Sequence, residues 1–244
     1  FKQKTAYKLP LRLVGSGMCI SDSVTTGAWS PKKYMPIFKE AGIKVIPVIA
    51  SVKHAIKMEA AGADAVIAEG QEAGGHIGQT ASLSLLPQVV DAVAIPVLGA
   101  GGVGDGRSVV AMYALGAQGI QVGTLFLSAE ECPISDRYRQ FLLDANDTAT
   151  IVTGRKAKEP VRSLRNSMLE QYAALEEANA PHEELEKLTV GSLARAVHDG
   201  DIETGSCMAG EIAGMIGNIR PAKQIIEELF AEAEAVLAKL RIKY

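Results

Sequence analysis

Residues 64–80, DAVIAEGQEAGGHIGQT, hold two glutamates and an imidazole (Glu69, Glu72 and His76) in a run that starts apolar and ends rich in glycine. An imidazole titrates near neutrality, so a histidine set among glycines is a candidate acid–base group. Glu72 and His76 stand four apart, the spacing of a metal pair on a helix. Gly74 and Gly75 between them disfavour a helix, and no second histidine follows, so the reading is no metal site. The plain alternative for His76 is a solvated or core histidine. The flanking glycines weigh against that, because they leave the backbone free to present the ring into a pocket.

A second constellation suits phosphate. GAGGVG at 99–104 fits G-x-G-x-x-G and follows an apolar run, but the acid of a dinucleotide site should stand about 20 residues on. Gln121-Val122-Gly123-Thr124 occupies that place and has none. The phosphate reading survives, since glycines let backbone N–H groups approach an anion and helix N-termini favour it. Gly101-Gly102 and Gly123-Thr124 would then be adjacent halves of one phosphate cup. The plain alternative is that all of them only make tight turns.

These residues need a scaffold that brings strand tips together. Apolar runs at 23–27, 43–51, 64–70, 95–102 and 117–127 alternate with helical patterns at 32–42, 52–62, 83–93 and 106–116. Such alternation predicts a parallel sheet covered by helices. Successive strands end in Ser51, Glu69-Gly70, Gly101-Gly102 and Gly123-Thr124. Polar tips spread over several strands favour a TIM-type (β/α) barrel, whose loops share one rim, over an open sheet with one switch point. Five strands are recognisable, so the barrel is expected to be incomplete, with a gap between the first and last strands. Residues 1–22 fit the alternation poorly, 23–128 form the barrel portion, and 129–244 read as a helical C-terminal region packing on it. GSCMAGEIAGMIG (205–217) reads as a tightly packed helix or as a wall against a flat ligand. Ile226, Leu229, Phe230, Ala233, Val236, Leu237 and Leu240 mark an amphipathic closing helix. His54, His182 and His198 read as structural or solvated.

The chain has 244 residues, 48% of them hydrophobic and 22% charged, which permits a large core and excludes global disorder. A net charge of -3 gives no electrostatic case for nucleic acid or an anionic membrane. Cys19, Cys132 and Cys207 are odd in number and far apart, which predicts reduced thiols and a cytoplasmic protein. No apolar stretch has the length of a membrane span, and no signal-like segment follows the first residues.

AEGQEAGGHIG (68–78), IPVLGAGGVGDGR (95–107) and IQVGTLF (120–126) closely resemble the FMN-dependent barrels that comprise enoyl-ACP reductase type II and nitronate monooxygenase. VTTGAWSPKKYMPIFKEAGIKVIPVIASV (24–52) extends the resemblance upstream. VRSLRN (161–166) and GSLARAVHDGDIETGSCMAGEIAGMI (191–216) are more similar to the reductase branch. The resemblance implies bound FMN, NAD(P)H as co-substrate, and hydride delivery to a trans-2-enoyl thioester on acyl carrier protein or CoA in fatty acid synthesis. It makes His76 the catalytic residue and Glu69, Gly75, Gly101, Gly102, Gly123 and Thr124 the cofactor-binding set, and it admits a homodimer. Two departures stand out: Leu125 replaces an arginine of the family's G-T-R-F, and strands the family carries before Val24 are absent. YKLPLRLVGSGMCISD (7–22) echoes the family's first strand or is unrelated to it. The competing activities are nitronate or nitroalkane oxidation with FMN and oxygen, and a non-catalytic remnant.

Overall fold

The computed structural model describes residues 22–27 and 31–240; expectations for residues 1–21, Cys19 included, lie outside these. Five strands run parallel in the order β1 (Ser23–Thr26), β2 (Lys44–Ile49), β3 (Val66–Glu69), β5 (Val97–Ala100) and β6 (Gly119–Gln121). The order follows the chain, interrupted only by the two-residue strand β4 (Gly75–His76), which belongs to another sheet. Helices α1 (Met35–Glu40), α2 (Val52–Ala60), α3 (Ser82–Ala92) and α4 (Gly106–Ala114) fill the crossovers. This is an incomplete TIM-type barrel. Among the described residues β1 and β6 are its two edges and are not paired with each other.

Local chemistry sets the boundaries. Val45, Ile49, Val66 and Ile67 are buried, as strands covered on both faces require. Ser51, expected as a polar tip, caps α2 by accepting from the His54 N–H. Asp105 and Ser108 form a capping box at the start of α4. Asp64 accepts from the Val45 N–H at 2.8 Å and from Lys39 and Lys44. Burial alone would raise its pKa, but these partners hold it below the usual carboxylate value.

The last barrel strand is shorter than expected. It stops at Gln121, and Thr124–Ser128 form a 3₁₀ turn. Beyond 128, helices α5 (Asp136–Leu143), α6 (Ser167–Glu177), α7 (His182–Thr189) and α8 (Ala222–Lys239) predominate. They do not account for the region alone, because β7 (Thr150–Thr153) and β8 (Val161–Leu164) pair antiparallel. β8 also pairs with β4, giving a three-stranded sheet β4-β8-β7. Ile225, Leu229 and Ala233 are the buried stripe of α8, whereas Ile226, Phe230, Leu237 and Leu240 are exposed. The buried stripe therefore keeps Leu229 and Ala233 of the expected face, with Val236 packed beside them, and takes Ile225 in place of Ile226. At Gly106 an added Cβ would lie 2.3 Å from the Ala233 nitrogen, so α8 crosses α4 against bare backbone.

Candidate active site

Parallel pairing puts the C-terminal tips of β3, β5 and β6 at one end of the sheet, and a cavity of about 280 Å³ opens there. Glu69, Gly75, Gly101, Gly102, Gly123 and Thr124 all line it, together with Glu72, Gln121, Met208, Gly210 and Ile212. Gly101 and Gly102 have φ of +84° and +75°, a conformation L side chains rarely adopt, so a glycine at each is a backbone requirement. Nothing lies within 4 Å of a Cβ placed on Gly123, and its exposed backbone borders open cavity. Burial pushes the Glu69 carboxyl up to about 7, and no described side chain pairs with it. A neutral carboxyl can donate as well as accept, which suits a polyol chain.

The phosphate half of the cavity differs from expectation in one respect. The first N–H groups of α4 are already taken, by Asp105 at Arg107 and Ser108 and by Glu232 at Gly106. The helix N-terminus is therefore no anion site, and the loop glycines of both tips are left for the role. Thr124 Oγ1 accepts from the Gly210 N–H at 2.9 Å, which leaves its proton to donate into the cavity. A cleft with bare backbone at two neighbouring strand tips and a half-buried carboxyl beside them fits a phosphorylated, polyhydroxylated flat group such as FMN.

His76 does not line this cavity. It lies in β4, directly opposite Val161 of β8, so a sheet fixes its backbone and the loop does not leave it free. Gly74, two residues before it, has a packing reason: a Cβ there would lie 2.6 Å from the Ala209 carbonyl carbon. Successive residues of a strand face opposite sides. Gly75 accordingly borders the first cavity, and His76 a second one of about 370 Å³. Thr153, Val161, Ser163, Tyr172 and Met208 also line the second cavity, as does the exposed His182. The imidazole is exposed, and Met208 borders both cavities. The small sheet is thus a partition with Gly75 on one side and His76 on the other.

Residues 205–217 are not a helix. They have no regular structure through Gly210 and form a 3₁₀ turn only at Glu211–Met215, a strap along the first cavity. Tyr138 Oη donates to the Met208 carbonyl at 2.7 Å and fixes the strap from below.

Sequence reasoning missed the groups that brace the site. Arg162 is 7% exposed; it donates to the Gln71 carbonyl and to Thr150 and pairs with Glu211 at 2.8 Å. Burial lowers its pKa, and Glu211 opposes that effect. Glu72 accepts from the Ser82 N–H and Oγ, tying the loop to α3. An arginine within the apolar alternation of VRSL was the available signal. Cys132 and Cys207 are free thiols, and burial pushes the Cys207 thiol up to about 12.

A sequence model described as nitronate monooxygenase matches residues 19–232. Probable nitronate monooxygenases of Staphylococcus aureus strains MSSA476 and JH9 are each 34% identical over 209 residues, 82% of this chain. The chain spans 59% of the length of those curated relatives. The structure of FabK from Thermotoga maritima superimposes with a TM-score of 0.90 at 42% identity, covering 99% of this chain and 76% of that one. A nitroalkane oxidase from Streptomyces ansochromogenes gives 0.78 at 30% identity, covering 95% of this chain and 69% of that one. The chain belongs to the nitronate monooxygenase family.

Proposed function

We propose that this chain contains the flavin and substrate sites of an FMN-dependent enoyl thioester reductase that draws on NAD(P)H. The observation that carries the reading is the likeness to FabK, an enoyl-ACP reductase II, at 42% identity over 99% of the chain. FMN, when bound, supplies hydride transfer from NAD(P)H to the β-carbon of a trans-2-enoyl thioester. The protein's part is position and polarity. Gly101, Gly102, Gly123 and Thr124 hold the phosphate, Gly75 lets the flavin approach the strand, and Glu69 hydrogen-bonds the polyol. His76 polarises the thioester oxygen or supplies the proton at the α-carbon from the adjoining cavity, whose apolar walls take the acyl chain. Met208 borders both cavities, which supports a reading in which substrate and flavin meet beside it.

Nitronate oxidation is the second reading, favoured by the family model and the curated relatives. There His76 is the base that activates a nitroalkane. One pair of assays separates the two. NADH or NADPH oxidation stimulated by crotonyl-CoA or an enoyl-ACP supports the reductase. Oxygen uptake with a nitroalkane and no response to thioesters overturns it. A purified chain that takes up no flavin, by its visible spectrum, overturns both and leaves a non-catalytic remnant.

A further inference from the structure

Tyr172 of α6 is 7% exposed and lines the second cavity. Its hydroxyl has no hydrogen-bond partner among the described residues, and it is not sealed from solvent. A buried tyrosine hydroxyl ordinarily has a partner. Tyr138 shows the usual case, with its hydroxyl spent on the Met208 carbonyl. Burial holds the Tyr172 hydroxyl above its ordinary pKa, as do the carboxylates of Glu176 and Glu159. The group therefore stays protonated, a neutral donor in a cavity that Glu159 also lines.

Strand pairing sets where this donor stands. His76 is opposite Val161, and Val161 is opposite Thr153, so the three form one row across β4, β8 and β7. All three line the cavity. A Cβ on Gly75 would lie 3.5 Å from the Met208 sulfur, which puts the side shared with the flavin cavity at the β4 end. Tyr172 belongs to the β7 end: one helical turn on, Glu176 accepts from the Gly154 N–H at 3.1 Å. The two ends are separated by two strand spacings, about 10 Å. No lysine or arginine lines the cavity, whereas Glu159 and Glu186 do. That disfavours a phosphate or carboxylate beside Tyr172 and suits an uncharged acceptor. In the pantetheine arm that carries acyl groups, such an acceptor, an amide carbonyl, follows the thioester sulfur after a short ethylene link.

We propose that the β7 end of the second cavity is the subsite for the pantetheine arm, with Tyr172 donating to the carbonyl of the amide nearest the thioester. This rests on the reductase reading above. It makes Tyr172 a specificity residue: it recognises the carrier of the acyl group, whereas His76 acts at the reacting end.

The test compares the FMN-loaded parent and Tyr172→Phe on two substrates. Crotonyl-N-acetylcysteamine keeps the amide, and S-ethyl thiocrotonate ends before it. For the amide-bearing substrate KM should rise about 10-fold in the variant while kcat holds, the effect of losing one uniform binding contact. For S-ethyl thiocrotonate both constants should match those of the parent. Flavin content, melting temperature and anaerobic flavin reduction by NAD(P)H should be unchanged, since none involves the arm. The infrared band of an isotopically labelled amide carbonyl should shift down on binding the parent and shift less on binding Tyr172→Phe. Equal losses on both substrates, loss of flavin, or slower flavin reduction by NAD(P)H would make Tyr172 a general wall of the cavity and overturn the assignment. Unchanged KM for both substrates with an unaltered amide band would overturn it and leave the reductase reading intact. A parent that reduces neither thioester sinks that reading, and this assignment with it.

Discussion

At the scale of single residues, the electrostatics of the first cavity give a checkable pH dependence. Burial raises the Glu69 carboxyl from 4.5 to about 7, so ionising it costs more in the folded chain than in the unfolded one. Its contribution to stability is complete below pH 4.5, declines as pH rises to about 7, and is flat above. Glu69→Gln removes that decline and stabilises the flavin-free protein at pH 8 by on the order of 1–3 kcal/mol, since the cavity still admits solvent. Denaturant titrations at several pH values check this; parallel pH profiles for the two proteins would count against it. His76→Ala keeps bound FMN, because the ring borders the other cavity, and loses about 10²–10⁴-fold in enoyl reduction. Rates within threefold of the parent would end the acid–base role. Gly123→Val fills open cavity with a stiff β-branched side chain and lowers flavin affinity without unfolding the turn. Flavin content at equal folded yield measures it. These residue types were legible in the sequence because glycine runs and a lone imidazole signal chemistry locally. The partition between Gly75 and His76 was not, because it depends on a strand 85 residues away in the chain.

At the scale of elements, the barrel strands were readable and the partition sheet was not. β2, β3 and β5 carry continuous apolar runs bounded by glycine. β4 is two residues long, and β7 and β8 are four each, with Arg162 interrupting the alternation. Such short pairings take their identity from partners distant in sequence. The closing helix buries a narrower face than expected: Leu229 and Ala233 are in the core, Ile225 joins them, and Phe230 is exposed. Arg162 is the brace that joins the partition sheet to the loop at Gln71 and to the strap. Removing it leaves the Gln71 carbonyl and Thr150 without their donor and frees Glu211. Arg162→Met should cost about 2–3 kcal/mol. Because the strap borders the flavin cavity, flavin affinity should fall as well. An Arg162→Met protein with parental melting temperature and flavin affinity would show that the strap is held by other contacts.

At the scale of the whole molecule, the expected boundary at residue 128 does not coincide with a break in the core. One cluster of buried side chains runs from Met35 through Val109 and Leu142 to Ala233. The cavity at the strand tips is shared in the same way, with Gly101 and Gly123 from the barrel portion and Met208, Gly210 and Ile212 from the strap. Glu232 caps Gly106, and Thr124 anchors Gly210. Among the described residues the barrel arc has two unpaired strand edges, and such an arc has little means of shielding its apolar faces by itself. We therefore expect 23–128 and 129–244 to unfold together. Heating should give one transition, coincident by far-UV and near-UV circular dichroism, and added FMN should raise its midpoint, since a ligand that binds only the native state stabilises by mass action. The fragment 22–128 expressed alone should aggregate or remain unfolded and take up no flavin. Two separated transitions, or a monomeric fragment that binds FMN, would show that the barrel portion is an independent unit and that the C-terminal region merely decorates it.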